Sequence, residues 1–165
     1  MNTGRNETNN CFAVDSPQQL LFCDVKPPLL TQVKFNGTYP LPWDLQLSGV
    51  FQSLPGIPIS ASYVATAAQV IPSLGRNLAG NAANVTIANI ITPQTVFESR
   101  LNQLDLRLTR SFKINHLRLQ ANVDVYNVLN GSAILAETTR FGPAWLTPTQ
   151  ILDARLLKFS GKLSF

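Results

Sequence analysis

The sequence predicts an all-β fold, an antiparallel meander of about five long strands that forms part of a transmembrane β-barrel. Three observations predict it. Apolar and polar residues alternate with period two over five segments of roughly nine to eleven residues, the length that crosses the hydrocarbon of a membrane at a tilt. The connections between these segments are alternately very short and long, as in barrels with tight turns on one side and long loops on the other. Finally, 45% of the 165 residues are hydrophobic and only 13% charged, about half the charge of a typical soluble domain. No stretch approaches the 18 or more apolar residues of a spanning helix, so contact with lipid has to be made by strands.

The elements follow in order. Residues 1–30 read as an external loop segment, polar at the start (MNTGRNETNN) and without the apolar region of a signal peptide. From Thr31 the first strand sets Val33, Phe35, Gly37 and Tyr39 against Gln32, Lys34, Asn36 and Thr38. Pro40-Leu41-Pro42-Trp43 turns the chain, and the second strand sets Leu45, Leu47, Gly49 and Phe51 against Gln46, Ser48, Val50 and Gln52. Residues 55–100, punctuated by Gly and Pro, read as a long external loop with short strands of its own at 57–65 and 85–91.

The third strand carries Leu104, Leu106, Leu108 and Phe112 on one side and Asp105, Arg107, Thr109, Ser111 and Lys113 on the other. After an Asn115-His116 turn, the fourth sets Leu117, Leu119, Ala121, Val123 and Val125 against Arg118, Gln120, Asn122, Asp124 and Tyr126. A second long external loop spans 127–150, with turn signals at Asn130-Gly131 and Gly142-Pro143. The fifth strand sets Leu157, Phe159, Gly161, Leu163 and Phe165 against Lys158, Ser160, Lys162 and Ser164. A helix capped at Thr147, with Leu152, Leu156, Phe159 and Leu163 on one face, is the local rival.

A soluble β-sandwich binding module would give the same alternation, so the polar faces carry the discrimination. Lys34, Asp105, Arg107, Arg118, Asp124, Lys158 and Lys162 lie there, as candidates to line a watery lumen. Asp105 with Arg107, and Arg118 with Asp124, are read as pairs across neighbouring strands or as part of a substrate path. The connection pattern gathers Tyr39, Trp43, Phe112 and Phe165 at the short-turn, periplasmic side, where an aromatic girdle belongs. Arg110 is the discord, falling between Leu108 and Phe112 on the apolar face. Five strands are odd in number and fewer than the usual minimum of eight, so the reading requires further strands upstream.

Chemistry-bearing motifs are few. Cys11 and Cys23, 12 apart in a polar segment, read as a disulfide clipping a loop, with two free thiols as the alternative. With His116 the single histidine, a zinc site lacks ligands, and no metal or cofactor is expected. Nucleophile-elbow, phosphate-loop and zinc-protease motifs are absent, which argues against an enzyme. The net charge of +4 is scattered singly rather than gathered with aromatics, which argues against a nucleic-acid partner.

The segment Leu119-Gln120-Ala121-Asn122-Val123-Asp124-Val125-Tyr126-Asn127-Val128-Leu129-Asn130 resembles the penultimate strand of TonB-dependent outer-membrane receptors, and Leu163-Ser164-Phe165 resembles their terminal membrane-insertion signal, with Phe159 and Gly161 in the same strand. The wider stretch 27–165, with Leu101-Asn102-Gln103-Leu104-Asp105-Leu106-Arg107 and Phe141-Gly142-Pro143-Ala144-Trp145, is similar to large receptors of this type that carry a carboxypeptidase-regulatory-like domain. The resemblance implies that residues 31–165 are the C-terminal strands of a 22-stranded barrel in the bacterial outer membrane, closed in the intact protein by an N-terminal plug. It implies uptake of a scarce nutrient such as a siderophore, oligosaccharide or peptide, with outer-membrane lipid, the rest of the barrel and plug, and the insertion machinery as partners. The TonB complex would be reached only through N-terminal parts that this chain lacks, so the chain alone is not expected to transport. A porin or autotransporter end is the other barrel that shares the terminal signature.

Overall fold

The computed structural model describes residues 25–165. Its secondary structure is 52% strand and 8% helix, which makes the chain predominantly β. Five strands are long: β1 (Val33–Leu41), β2 (Leu45–Leu54), β5 (Leu101–Ile114), β6 (Leu117–Tyr126) and β9 (Leu156–Ser164). Four are only four residues each: β3 (Tyr63–Thr66), β4 (Asn84–Ile87), β7 (Ile134–Glu137) and β8 (Pro148–Ile151). At ~3.3 Å per residue the two classes differ in reach, about 30 Å against about 13 Å.

The long strands form one antiparallel meander in the order β1-β2-β5-β6-β9. The sheet is open, with β1 and β9 as its two edges. Period-two alternation specifies the register, because a slip of one residue would turn every side chain to the wrong face. One row runs Tyr39, Leu47, Leu108, Val123, Phe159 across all five strands, and its neighbour on the opposite face runs Thr38, Ser48, Arg107, Asp124, Lys158.

The first turn differs from the sequence expectation. Pro40 and Leu41 stay in β1, opposite Gln46 and Leu45, and the loop is Pro42-Trp43-Asp44, with Trp43 and Asp44 both at positive φ (64° and 56°). Pro40 is tolerated because β1 is an edge strand, where a missing N–H costs no ladder bond on the open side. The Asp44 carbonyl accepts the Ser111 N–H at 3.1 Å, tying the turn to β5. The Asn115-His116 turn and the fifth strand form where alternation puts them, and the rival helix through Leu152, Leu156, Phe159 and Leu163 does not.

The long connections are folded rather than loose. By internal contacts the described residues divide into a sheet unit (Thr31–Gly56, Ser99–Ile134, Ile151–Phe165) and a loop unit (25–30, Ile57–Glu98, Leu135–Gln150). In the loop unit β3 and β4 form a hairpin, and the two connections are stitched together where the Phe141 N–H meets the Ser62 carbonyl at 2.7 Å and the Trp145 indole N–H meets the Ser60 carbonyl at 3.2 Å. Phe141 and Trp145 rings lie 5.5 Å apart. A short helix, α1 (Ala67–Leu74), follows β3 where the sequence predicts loop. The Thr66 N–H donates to Gln69 Oε1 at 2.9 Å, and Gly75 ends the helix at φ 69°. Pro72 inside it suggests a breaker in sequence, yet eight residues with a cap at each end suffice.

Candidate functional site

Alternation and register give the sheet two faces of different chemistry. The apolar face is exposed. Tyr39, Leu47, Leu108, Phe112, Leu119, Phe159 and Leu163 all keep more than a third of their surface open, and Phe159 keeps 71%. Among the described residues no large side chain is fully buried. A soluble domain of this size hides its large apolar groups under a second layer, each worth about 1.5–3 kcal/mol. The sheet unit has a single layer, with no such cover among the described residues.

The polar face is the better satisfied one. Arg107 and Asp124 stand directly opposite, and the guanidinium grips the carboxylate through both Nε and Nη2. Asp124 is 2% exposed and faces Lys158 on its other side, so two cations flank it. In the next row Thr109 donates to Asn122 Oδ1 at 2.8 Å and Asn122 passes a bond to Ser160 at 3.4 Å. Thr38 bonds Ser48 at 3.1 Å, and the Gln52 amide donates to Gln103, whose own amide donates to Asp105 at 3.1 Å. Apart from Gln103–Asp105, which lies along β5, these bonds run sideways from strand to strand and cross-link the face.

The sequence-derived candidates distribute as follows. Lys34, Asp105, Arg107, Arg118, Asp124, Lys158 and Lys162 all occupy the polar face by register. The pairing among them differs from expectation. Arg107 takes Asp124 rather than Asp105, because it stands directly opposite Asp124, whereas the Asp105 carboxylate accepts from the Gln103 amide and the Asn127 N–H. Arg118 stands opposite Lys113 and Ser164, so it does not reach Asp124. Asp105 instead accepts the Asn127 N–H at 2.8 Å. Phe159, Gly161 and Leu163 share the apolar face of β9, with Phe165 just beyond the strand end.

Tyr39, Trp43 and Phe112 lie toward the short-turn end of the sheet, Trp43 in the turn itself and 79% exposed. Arg110 does sit on the apolar face, where its guanidinium lies 4.9 Å from the centre of the Phe112 ring. Cys11 and Cys23 lie outside the described residues. No group of three or more His, Cys, Asp or Glu side chains suited to a metal occurs among the described residues.

Sequence reasoning missed the part played by the asparagines that end β6. Asn127, 2% exposed and at φ 49°, donates from Nδ2 to the carbonyls of Gly131 (2.9 Å) and Asp153 (2.7 Å) and accepts the Gly131 N–H at 3.0 Å. Asn130, at φ 51°, accepts the Arg155 N–H. Asn tolerates the left-handed region better than other residues with a side chain, and its amide mimics a peptide, so it can both turn the chain and satisfy it. Gly131 is closely packed beside it: a Cβ there would lie 3.1 Å from the Asn102 carbonyl, a tight contact that the backbone would have to relieve by a few tenths of an ångström. The visible signal was the Asn-x-x-Asn spacing.

In the loop unit, Glu137 is the group out of place. Neither carboxylate oxygen has a hydrogen-bond partner among the described residues. Burial pushes its pKa above the usual carboxylate range, and the nearby Glu98 carboxylate pushes the same way. Compared with known proteins, the chain matches no family model, no curated protein and no solved structure.

Proposed function

We propose that the chain is part of a bacterial outer-membrane β-barrel of the TonB-dependent receptor type, supplying five of its strands to a protein that takes up nutrients. One observation carries this reading: the long strands form a single sheet whose apolar face is exposed while its polar face is internally bonded. That is the polarity of a barrel wall with lipid outside and water inside. Two further observations agree. The strands of nine or more residues suit a hydrocarbon crossing, and both tight turns lie at one end of the sheet while the long connections leave from the other.

The open edges fit a part rather than a whole, because a wall in lipid leaves no backbone group unpaired. The receptor assignment rests on the residues of β6 and β9 that resemble that family, and the transported nutrient is left to the rest of the receptor. Expression of residues 1–165 without detergent tests the reading. Insoluble material that gains strand structure by circular dichroism only in detergent or lipid is the expected result. A folded, water-soluble monomer by size-exclusion chromatography would replace it with a soluble β binding module.

A further inference from the structure

The polar face does not neutralise its charge evenly. In its middle, Asp124 is held between Arg107 and Lys158. At the short-turn end the pattern inverts. Lys113 and Arg118 stand directly opposite each other on β5 and β6, and Lys162, paired with Gln120 on β9, is one row away on the same face. Opposed side chains are about 5 Å apart at Cβ and diagonal ones about 7–8 Å, so three cations share one small area. None of the three has a carboxylate partner among the described residues. Like charges directly opposite destabilise a hairpin. A sequence that elsewhere on this face obeys pairing rules breaks them here, and such local violations mark functional positions.

The three cations line a depression of about 290 Å³ together with Ser111, Gln120 and Ser164. It holds the groups an oxyanion needs: a planar guanidinium for two-point contact, two ammonium groups, and neutral hydroxyl and amide donors. We infer that this end of the polar face is a binding site for a phosphate-bearing anion, with Arg118 as its centre and Lys113 and Lys162 as its flanks. The bound anion relieves the Lys113–Arg118 repulsion, which makes hairpin stability and occupancy of the site rise together. The site stands on strand register and on the charges themselves, so it does not depend on the membrane reading.

The test is calorimetric titration of the full chain with inorganic pyrophosphate at fixed ionic strength, in zwitterionic detergent if the chain needs it and in buffer if it folds in water. Failure of the membrane reading is thus seen in the folding step, separately from the titration. Lys113→Gln and Lys162→Gln should each weaken binding by about 2- to 5-fold, the range for single exposed charges, while Lys34→Gln at the other end of the face leaves it unchanged. Arg118→Glu should abolish binding and at the same time raise the urea midpoint of the anion-free protein, since it converts a repulsive pair into an attractive one. A merely structural Arg118 would lower that midpoint.

Doping the micelles with phosphatidylglycerol separates the two sources of such a group. If the lipid competes with pyrophosphate, a headgroup occupies the site; if it does not, a soluble phosphate compound does. Equal pyrophosphate affinity in wild type and Arg118→Glu, or an equal loss in Lys34→Gln, overturns the proposal.

Discussion

The sheet unit and the loop unit of this chain bury opposite kinds of residue. In the sheet unit the most hidden side chains are polar, Thr109, Asp124 and Asn127, with Ala133 the small exception, while Phe35, Tyr39, Leu108 and Phe159 are open. In the loop unit the buried residues among those described are Pro27, Ala61 and Ala65, and the exposed apolar groups, Leu29, Leu74, Val85, Ile90, Val96 and Phe141, come from separate segments. The loop unit follows the ordinary rule for a body in water. The sheet unit reverses it, and an exposed continuous apolar face of this kind signals a surface meant for something other than water. Strand length divides the same way, long in the reversed unit and four residues in the ordinary one.

The sharpest way to break this comparison is a charge in the middle of the apolar face. Leu108→Arg should cost about 2–4 kcal/mol of folding free energy in lipid bilayers, read by urea titration, while Ser48→Arg on the other face costs well under half of that. Equal costs would mean that the two faces do not differ in what they meet. Next in size is Asn127→Ala, which leaves the Gly131 N–H and two carbonyls without their partner. A loss of about 2–3 kcal/mol is expected from denaturant midpoints, with hydrogen exchange accelerated at the β6 end; an unchanged midpoint would show that the asparagine only permits the turn and does not hold it.

Trp145→Phe keeps the ring and removes the bond to the Ser60 carbonyl. It should cost about 1 kcal/mol, with faster amide exchange confined to the loop unit; faster exchange in β5 or β6 would show that the units do not respond separately. The smallest effect is expected at Glu137. Its pKa is raised in the fold, so its contribution to stability is fully present below the ordinary carboxylate value of 4.5 and is lost as pH rises through the higher folded value. Glu137→Gln should therefore stabilise the loop unit at pH 7 by less than the ~1 kcal/mol of one hydrogen bond, and the advantage should vanish at pH 4. A variant whose thermal midpoint gains equally at both pH values would show that charge is not the cause.

Much of the sheet was legible because a strand declares itself locally. Period two places Leu104, Leu106 and Leu108 on one side and Asp105, Arg107 and Thr109 on the other, whatever their neighbours are. Tight turns fix which strands are neighbours, so the β1–β2 and β5–β6 hairpins followed from the turn signals at Pro40-Leu41-Pro42-Trp43 and Asn115-His116, although the first turn itself is Pro42-Trp43-Asp44. Of the folded loop unit only the two short strands were legible, β3 and β4 overlapping the alternating stretches 57–65 and 85–91; its long-range bonds were not, because they join residues such as Ser60 and Trp145, 85 apart in sequence and without periodic pattern. The helix α1 was hidden by Pro72, since a cap formed by Thr66 and Gln69 competes with a residue that reads as a breaker.

By itself, then, the sequence determined the strand class, the two faces and the residues on each, because side-chain alternation is a property of one strand. Only the tertiary structure decided the partners. That Arg107 holds Asp124 and leaves Asp105 to the Asn127 backbone, and that Lys113 and Arg118 meet without an acid between them, depends on the register between strands. Register is set by turn length and by the agreement of whole faces across the sheet, so a residue's partner is a property of the pair of strands and cannot be read from either one alone.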